Sequence, residues 1–366
     1  MAARHLDRRA FLSASGTAFA AALLPARAEA LVRTDAVFAS AYVDRSGGYG
    51  AALLTESGDI VAEIPLPSRG HDITCHSPSR RAVVFARRPG TIAVTFDADG
   101  KSAPGTIVAT AGRHFYGHGV FSRDGSRLYA SENDFENAAG VVGIYDADDG
   151  YRRIGEISSG GIGPHDMLLL GDGRTLVIAN GGLETHPDFG RTKLNLATMQ
   201  PSLCFIDRRD GTLIERLSLP ATLHRLSIRH LAGDGAGGVY FACQYEGAGH
   251  RRPPLCGHAK PGRELRLFDL PEDHLMGLKN YIGSIAANND AGTVAVTSPR
   301  GNSLLVLDGA TGNVLSHRRI ANVCGISDNG SGYLASTGNG LLANGRQRIP
   351  GSDTHLWDNH LVRIAG

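Results

Sequence analysis

The sequence predicts an all-β chain folded as a β-propeller of seven blades, with six or eight left open by the repeat count alone. Three observations carry this. A four-strand cadence recurs along the chain, Asp-Gly pairs fall at fixed places within it, and helical periodicity is nearly absent beyond the N-terminal segment. Residues 117–130 and 164–179 show the cadence: a short strand, an Asp-Gly turn (Asp124-Gly125, Asp172-Gly173), then a second strand. Asp-Gly is a strong hairpin signal because its turn demands positive φ. A third strand ending in Asp146 or Asp207 comes next, then a second Gly turn (Asp149-Gly150, Asp210-Gly211) and a fourth strand. A four-stranded sheet alone exposes two faces and two edges, and stacking sheets in a ring buries the faces.

Taken in order, the chain opens with a segment to set aside. Arg8-Arg9 precedes a mildly apolar run over 11–24, and Ala26-Arg27-Ala28 supplies a small-x-small cleavage site. Residues 1–28 therefore read as a twin-arginine signal peptide, which places the mature protein in the periplasm. The run is too short and too weakly apolar to span about 30 Å of hydrocarbon, and no later segment approaches about 20 apolar residues. Residues 33–366 form one propeller domain. Residues 37–66 look like a module without its innermost strand, and 323–364 like one without its outermost, so the ring either joins them or sets them side by side. The same cadence recurs over 70–99, 228–270 and 282–320. An insertion at 184–200 parts the second and third strands of one module, with one helical turn expected over 194–199. A second insertion spans 247–262 and holds three prolines. Both are expected over the face where second strands end, and long loops on one face are often functional.

Composition narrows the function classes. With 37 Lys+Arg against 36 Asp+Glu, the net charge is +1 and no basic stripe stands out; this argues against nucleic acid as a partner. The 48 glycines suit a turn-rich β chain. The five cysteines form no metal-ligand spacing, and Cys243 and Cys256, which flank the second insertion, are the candidate disulfide.

In a propeller the start of each inner strand and the end of each second strand converge on one funnel. Inner strands here open with Arg69-Gly70-His71, Tyr116-Gly117-His118 and Gly163-Pro164-His165. Their histidines are about one blade apart. His230 occupies the corresponding strand of the next module, though its turn spacing places it deeper. These four imidazoles are the candidate metal ligands, for iron or copper, since imidazole suits both. Arg88, Glu132, Asn180 and Gln244, at the ends of second strands, are the candidate ligand-binding funnel. A metal-dependent hydrolase of the lactonase type is the alternative, with Glu132, Asn180, Asp166 and His165 orienting a metal-held water. No Gly-x-Ser-x-Gly elbow points to covalent catalysis.

Several segments resemble one group of proteins: Ala86-Arg87-Arg88-Pro89-Gly90, His114-Phe115-Tyr116-Gly117-His118-Gly119-Val120-Phe121-Ser122, Thr185-His186-Pro187-Asp188, Arg191-Thr192-Lys193-Leu194-Asn195-Leu196 and Gln200-Pro201-Ser202-Leu203. They look like an uncharacterised family of twin-arginine-exported β-propellers, similar in fold to the β chain of quinoprotein amine dehydrogenases but without its partner subunit or quinone. The family's genes lie beside those of imelysin-type iron-regulated proteins and a di-haem oxidoreductase. The resemblance implies a periplasmic role in iron uptake. The resulting reading is a monomeric, non-enzymatic component that binds metal or a partner protein, with other iron-uptake proteins as the candidate partners. It supplies no catalytic residues.

Overall fold

The computed structural model describes residues 37–344, 347–349 and 354–364. The signal segment 1–28 lies outside them. Seven sheets form the seven blades of a propeller. Counting from the N-terminus, blade 2 comprises Gly70–His76, Arg81–Ala86, Ile92–Asp97 and Gly105–Val108, ordered from the channel outward, and blades 3 to 7 repeat the pattern. Every strand pair is antiparallel, as short hairpin connections require. The Asp-Gly turns work as expected: Asp124 accepts from the Ser126 backbone N–H at 3.1 Å, while Gly125 takes φ +73°.

Blade 1 closes the ring. Its strands Phe38–Asp44, Tyr49–Leu54 and Ile60–Leu66 receive their innermost partner from the C-terminal segment, as two short strands, His355–Trp357 and Val362–Arg363, both paired with Phe38–Asp44. The N-terminal module thus lacks its inner strand, as the sequence suggests. The C-terminal module is different. Val323–Asp328, Tyr333–Thr337, Leu342–Asn344 and Gln347–Ile349 make a full blade 7, and residues 355–363 belong to blade 1.

Blades stack through shared apolar clusters. Phe85 of blade 2 meets Phe115 of blade 3, both fully buried with ring centroids 5.5 Å apart. Tyr129 and Val142 of blade 3 likewise pack with Met167 and Ile178 of blade 4. Each fully buried side chain of this size contributes about 1.5–3 kcal/mol. Outer strands face water on one side, so Arg152–Ser158 alternates exposed and half-buried residues.

Three local expectations are corrected. Residues 194–199 form turns, and the helical turn of that insertion is a 3-10 turn at Pro187–Phe189, started by Pro187. The second insertion contains the third strand of blade 5, Cys256–Ala259. Cys243 and Cys256 are free buried thiols. Ala242 is the residue facing Cys256, so Cys243 turns to the other side of the sheet and the two sulfurs lie back to back.

Candidate metal centre

The inner strands of blades 2, 3 and 4 lose their regular pairing where their histidines stand. The ladder of blade 2 steps from Gly70 to Ile73 across His71, that of blade 3 from Phe115 to Gly119 across His118, and that of blade 4 from Pro164 to Asp166 across His165. A bulge re-aims side chains and is common beside functional sites. In blade 5 the step runs from Ile228 to His230, with Arg229 as the extra residue. By register Arg229 takes the place of His165, and His230 that of Asp166. His230 therefore stands one residue deeper, as its turn spacing suggests, with its ring still 4.8 Å from that of His165.

The result is a layer of five imidazoles across the channel. His71, His118, His165 and His230 are joined by His360, which sits between the two short ring-closing strands. Neighbouring ring centroids are 4.8–5.7 Å apart. All five are at least nine-tenths buried. The inner strands of blades 6 and 7, Ser284–Asn288 and Val323–Asp328, carry no histidine. His360 escaped the sequence reading because the C-terminal segment looked like part of its own module. Seen as the missing inner strand of blade 1, it would have aligned with the rest.

The ligating atoms form two overlapping sets, His71–His118–His165 and His118–His230–His360, each with its atoms within 4.8 Å of one another. His118 Nδ1 donates to Asp72 at 2.9 Å and lies 3.4 Å from Asp166. This fixes its tautomer and leaves Nε2 bare. Asp358 approaches His71 Nδ1 to 3.6 Å and also binds Arg69 at 2.5 Å and Arg87 at 3.2 Å. Burial pushes the Asp358 carboxyl up, but His71, Arg87 and Arg69 outweigh it and hold the group below the usual carboxylate range. Burial also drives all five histidines below their ordinary pKa, His360 to about 4, so the imidazoles are neutral at pH 7. Burial raises Asp166 to about 6.

The ring nitrogens are poorly satisfied. While His71 Nδ1 faces Asp358 at 3.6 Å, His118 Nε2, His165 Nδ1, both nitrogens of His230 and His360 Nε2 are buried and meet no hydrogen-bond partner among the described residues. Each such atom costs about 1–3 kcal/mol. Neutral, converging, unpartnered imidazole nitrogens are what a soft-to-borderline cation requires of its ligands.

Gly117 is fixed by this layer. It adopts φ +107°, and a Cβ there would stand 2.5 Å from His71 Cδ2. Gly117→Ala is expected to cost about 1–3 kcal/mol through backbone strain alone and to displace the His71 ring. Chemical denaturation of the two proteins checks this, and equal midpoints would refute it.

On one side of the layer lies a funnel of about 400 Å³. Arg88 and Gln244 line it, with Arg191 and Lys193 of the 184–200 insertion on its wall. Glu132 and Asn180 do not reach it. Glu132 turns into its own sheet, accepting from Tyr145 Oη at 2.5 Å and from Arg153 at 2.8 Å. Asn180 exchanges hydrogen bonds with Ser159. Alternation along the strand decides both cases: a strand-end position does not by itself send a side chain to the channel. Further along the same inner strands lies a second cavity of about 280 Å³, reached by Asp72, Asp166, His230 and His360. The imidazole layer thus stands between two cavities.

No helix among the described residues is long and apolar enough to cross a membrane. No curated protein matches the sequence. Among solved structures, Kuenenia stuttgartiensis hydrazine synthase superposes with a TM-score of 0.61 over 88% of this chain and 92% of that one, at 12% identity. At that identity the likeness shows the propeller fold alone. Residues 64–364 match the family model described as "Protein of unknown function (DUF1513)", and the chain belongs to that family.

Proposed function

We propose that the five-histidine layer binds a transition metal and that the protein serves, without catalysing a reaction, as a periplasmic metal-holding component of iron acquisition. The observation that carries this reading is the set of buried imidazole nitrogens with no hydrogen-bond partner among the described residues. A cation would offset their desolvation. Tetrahedral bonds of about 2.0–2.1 Å set donor atoms about 3.4 Å apart, so the present sets, whose atoms lie within 4.8 Å of one another, would have to close on the ion. Asp72 backs His118 as carboxylates back metal-ligating histidines elsewhere. Asp166 and Asp358 add hard oxygen atoms at the margin, which favours iron over copper. The hydrolase alternative drew in part on Glu132 and Asn180, but Glu132 is engaged within its own sheet and Asn180 with Ser159, at the end of the preceding blade.

Protein purified from the periplasm without a His tag should carry near-stoichiometric metal. Added to metal-free protein at about 100 times its Kd, the metal should stabilise the fold by about 2.7 kcal/mol. His118→Ala combined with His165→Ala should abolish the shift. A wild-type melting curve unmoved by iron, copper or zinc would overturn the reading, whereas turnover of a lactone panel, lost in the same double variant, would favour the hydrolase.

A further inference from the structure

The funnel above the imidazole layer is strongly cationic, although the chain as a whole is nearly neutral. Arg87, Arg88, Arg191, Lys193, Arg229 and Arg300 line it, against Glu246 as the one carboxylate of its wall. Two of these cations are accounted for, since Arg87 pairs with Asp358 and Lys193 with Glu246. Arg229 reaches the same Glu246 only at 3.6 Å. Arg88, Arg191 and Arg300 have no carboxylate within ion-pair distance among the described residues.

Such an arrangement opposes folding unless something else answers it. Arg229 is 5% exposed, and its Nε has no hydrogen-bond partner among the described residues. Arg88 Nη1 is likewise buried and unpartnered. Burial, followed by the charge of Arg229, lowers Arg88 to about 10. The guanidinium groups are also held in place. Arg300 lies over the Tyr281 ring at 4.1 Å, and Arg88 over that of Tyr116 at 5.7 Å. Stacking occupies the planar faces and leaves the donor edges free for bidentate contacts with oxyanions.

We propose that this funnel binds a small anion with several carboxylates, and that the metal reaches the imidazole layer as a chelate of such an anion. The inference rests on the metal reading for its second half only. The choice of a polycarboxylate comes from the spread of the cations. Arg88 comes from blade 2, Arg191 from the insertion, Arg229 from blade 5 and Arg300 from blade 6. They surround a space of about 400 Å³, a size suited to an organic molecule, and one compact tetrahedral ion cannot meet them all. His71, His165 and His230 line the same space, so an anion seated there borders the metal ligands directly.

Citrate serves as the probe, titrated into resin-stripped, metal-free protein by calorimetry, with inorganic phosphate and acetate in parallel. Citrate should bind at least tenfold more tightly than either, with affinity falling steeply as salt rises. Arg88→Gln combined with Arg300→Gln should weaken citrate at least tenfold while leaving the fold intact by circular dichroism. Should that pair misfold, Arg191→Gln alone should still weaken citrate severalfold. Absence of citrate binding to the folded wild type, or equal affinity in the folded variants, would overturn the proposal. Tighter binding of phosphate would overturn the polycarboxylate assignment. Because no metal is present in the titration, citrate binding without any metal response would sink the metal reading and the chelate route with it but spare the anion site, and a metal response without citrate binding would do the opposite.

Discussion

Ending the chain before Thr354 is expected to abolish the cooperative fold. The deleted segment supplies the inner strand of blade 1 and buries Trp357, Leu361 and Ile364. It also carries Asp358, 1% exposed, which binds Arg69 and Arg87 of the neighbouring blade. Three large apolar side chains at about 1.5–3 kcal/mol each amount to a large share of the roughly 5–15 kcal/mol that stabilises a typical protein, and the ion pairs of Asp358 are lost with them. The opened blade would further expose the edge of Phe38–Asp44 to intermolecular pairing. Thermal melts and size-exclusion profiles of the truncated protein test this. A sharp, monomeric, near-native melt would show that the closure contributes little.

Metal-free protein is expected to lose several kcal/mol of stability between pH 6.5 and 5. The sign is set by proton binding. Each buried histidine has its folded pKa below its unfolded value of 6.5, so its contribution is present above 6.5 and lost as pH falls toward the folded value, about 4 for His360. His71, His118, His165 and His230 shift the same way, with Arg229 adding to the shift on three of them. Asp72 and Asp166 act oppositely, because burial raises them; Asp166, at about 6, takes up a proton in the folded state before the unfolded one does. Five imidazoles outweigh two carboxyls, and each proton of difference is worth about 1.4 kcal/mol per pH unit. Melting temperatures across that range should fall steeply with acid, and His230→Gln should flatten the slope. A pH-independent melt would contradict neutral burial of the cluster.

How far the sequence speaks depends on whether a feature is local. Asp124-Gly125 and Asp172-Gly173 announce hairpins by their own chemistry, and their recurrence yields the blades. His71, His118 and His165 follow matching Gly or Pro openings about one repeat apart and were legible for that reason, although the registers set His118 one residue deeper than the other two. His360 was not, since its partner strand, Phe38–Asp44, lies at the other end of the chain. Glu132 and Asn180 were misplaced because one residue of strand register separates channel from sheet face. The cationic funnel was hidden differently. Its arginines come from separate segments of a chain whose charges sum to +1, so no stretch of sequence looks basic.

The position of His360 also sets an order of assembly during synthesis. Six complete blades and four imidazoles have left the ribosome before residues 355–364 emerge. Until then the arc is open, with a slot in its first blade where one strand is missing. The strand that fills the slot also delivers the fifth imidazole. Completing the ring and completing the imidazole layer are therefore a single event, and a chain that fails to close never brings all five imidazoles together.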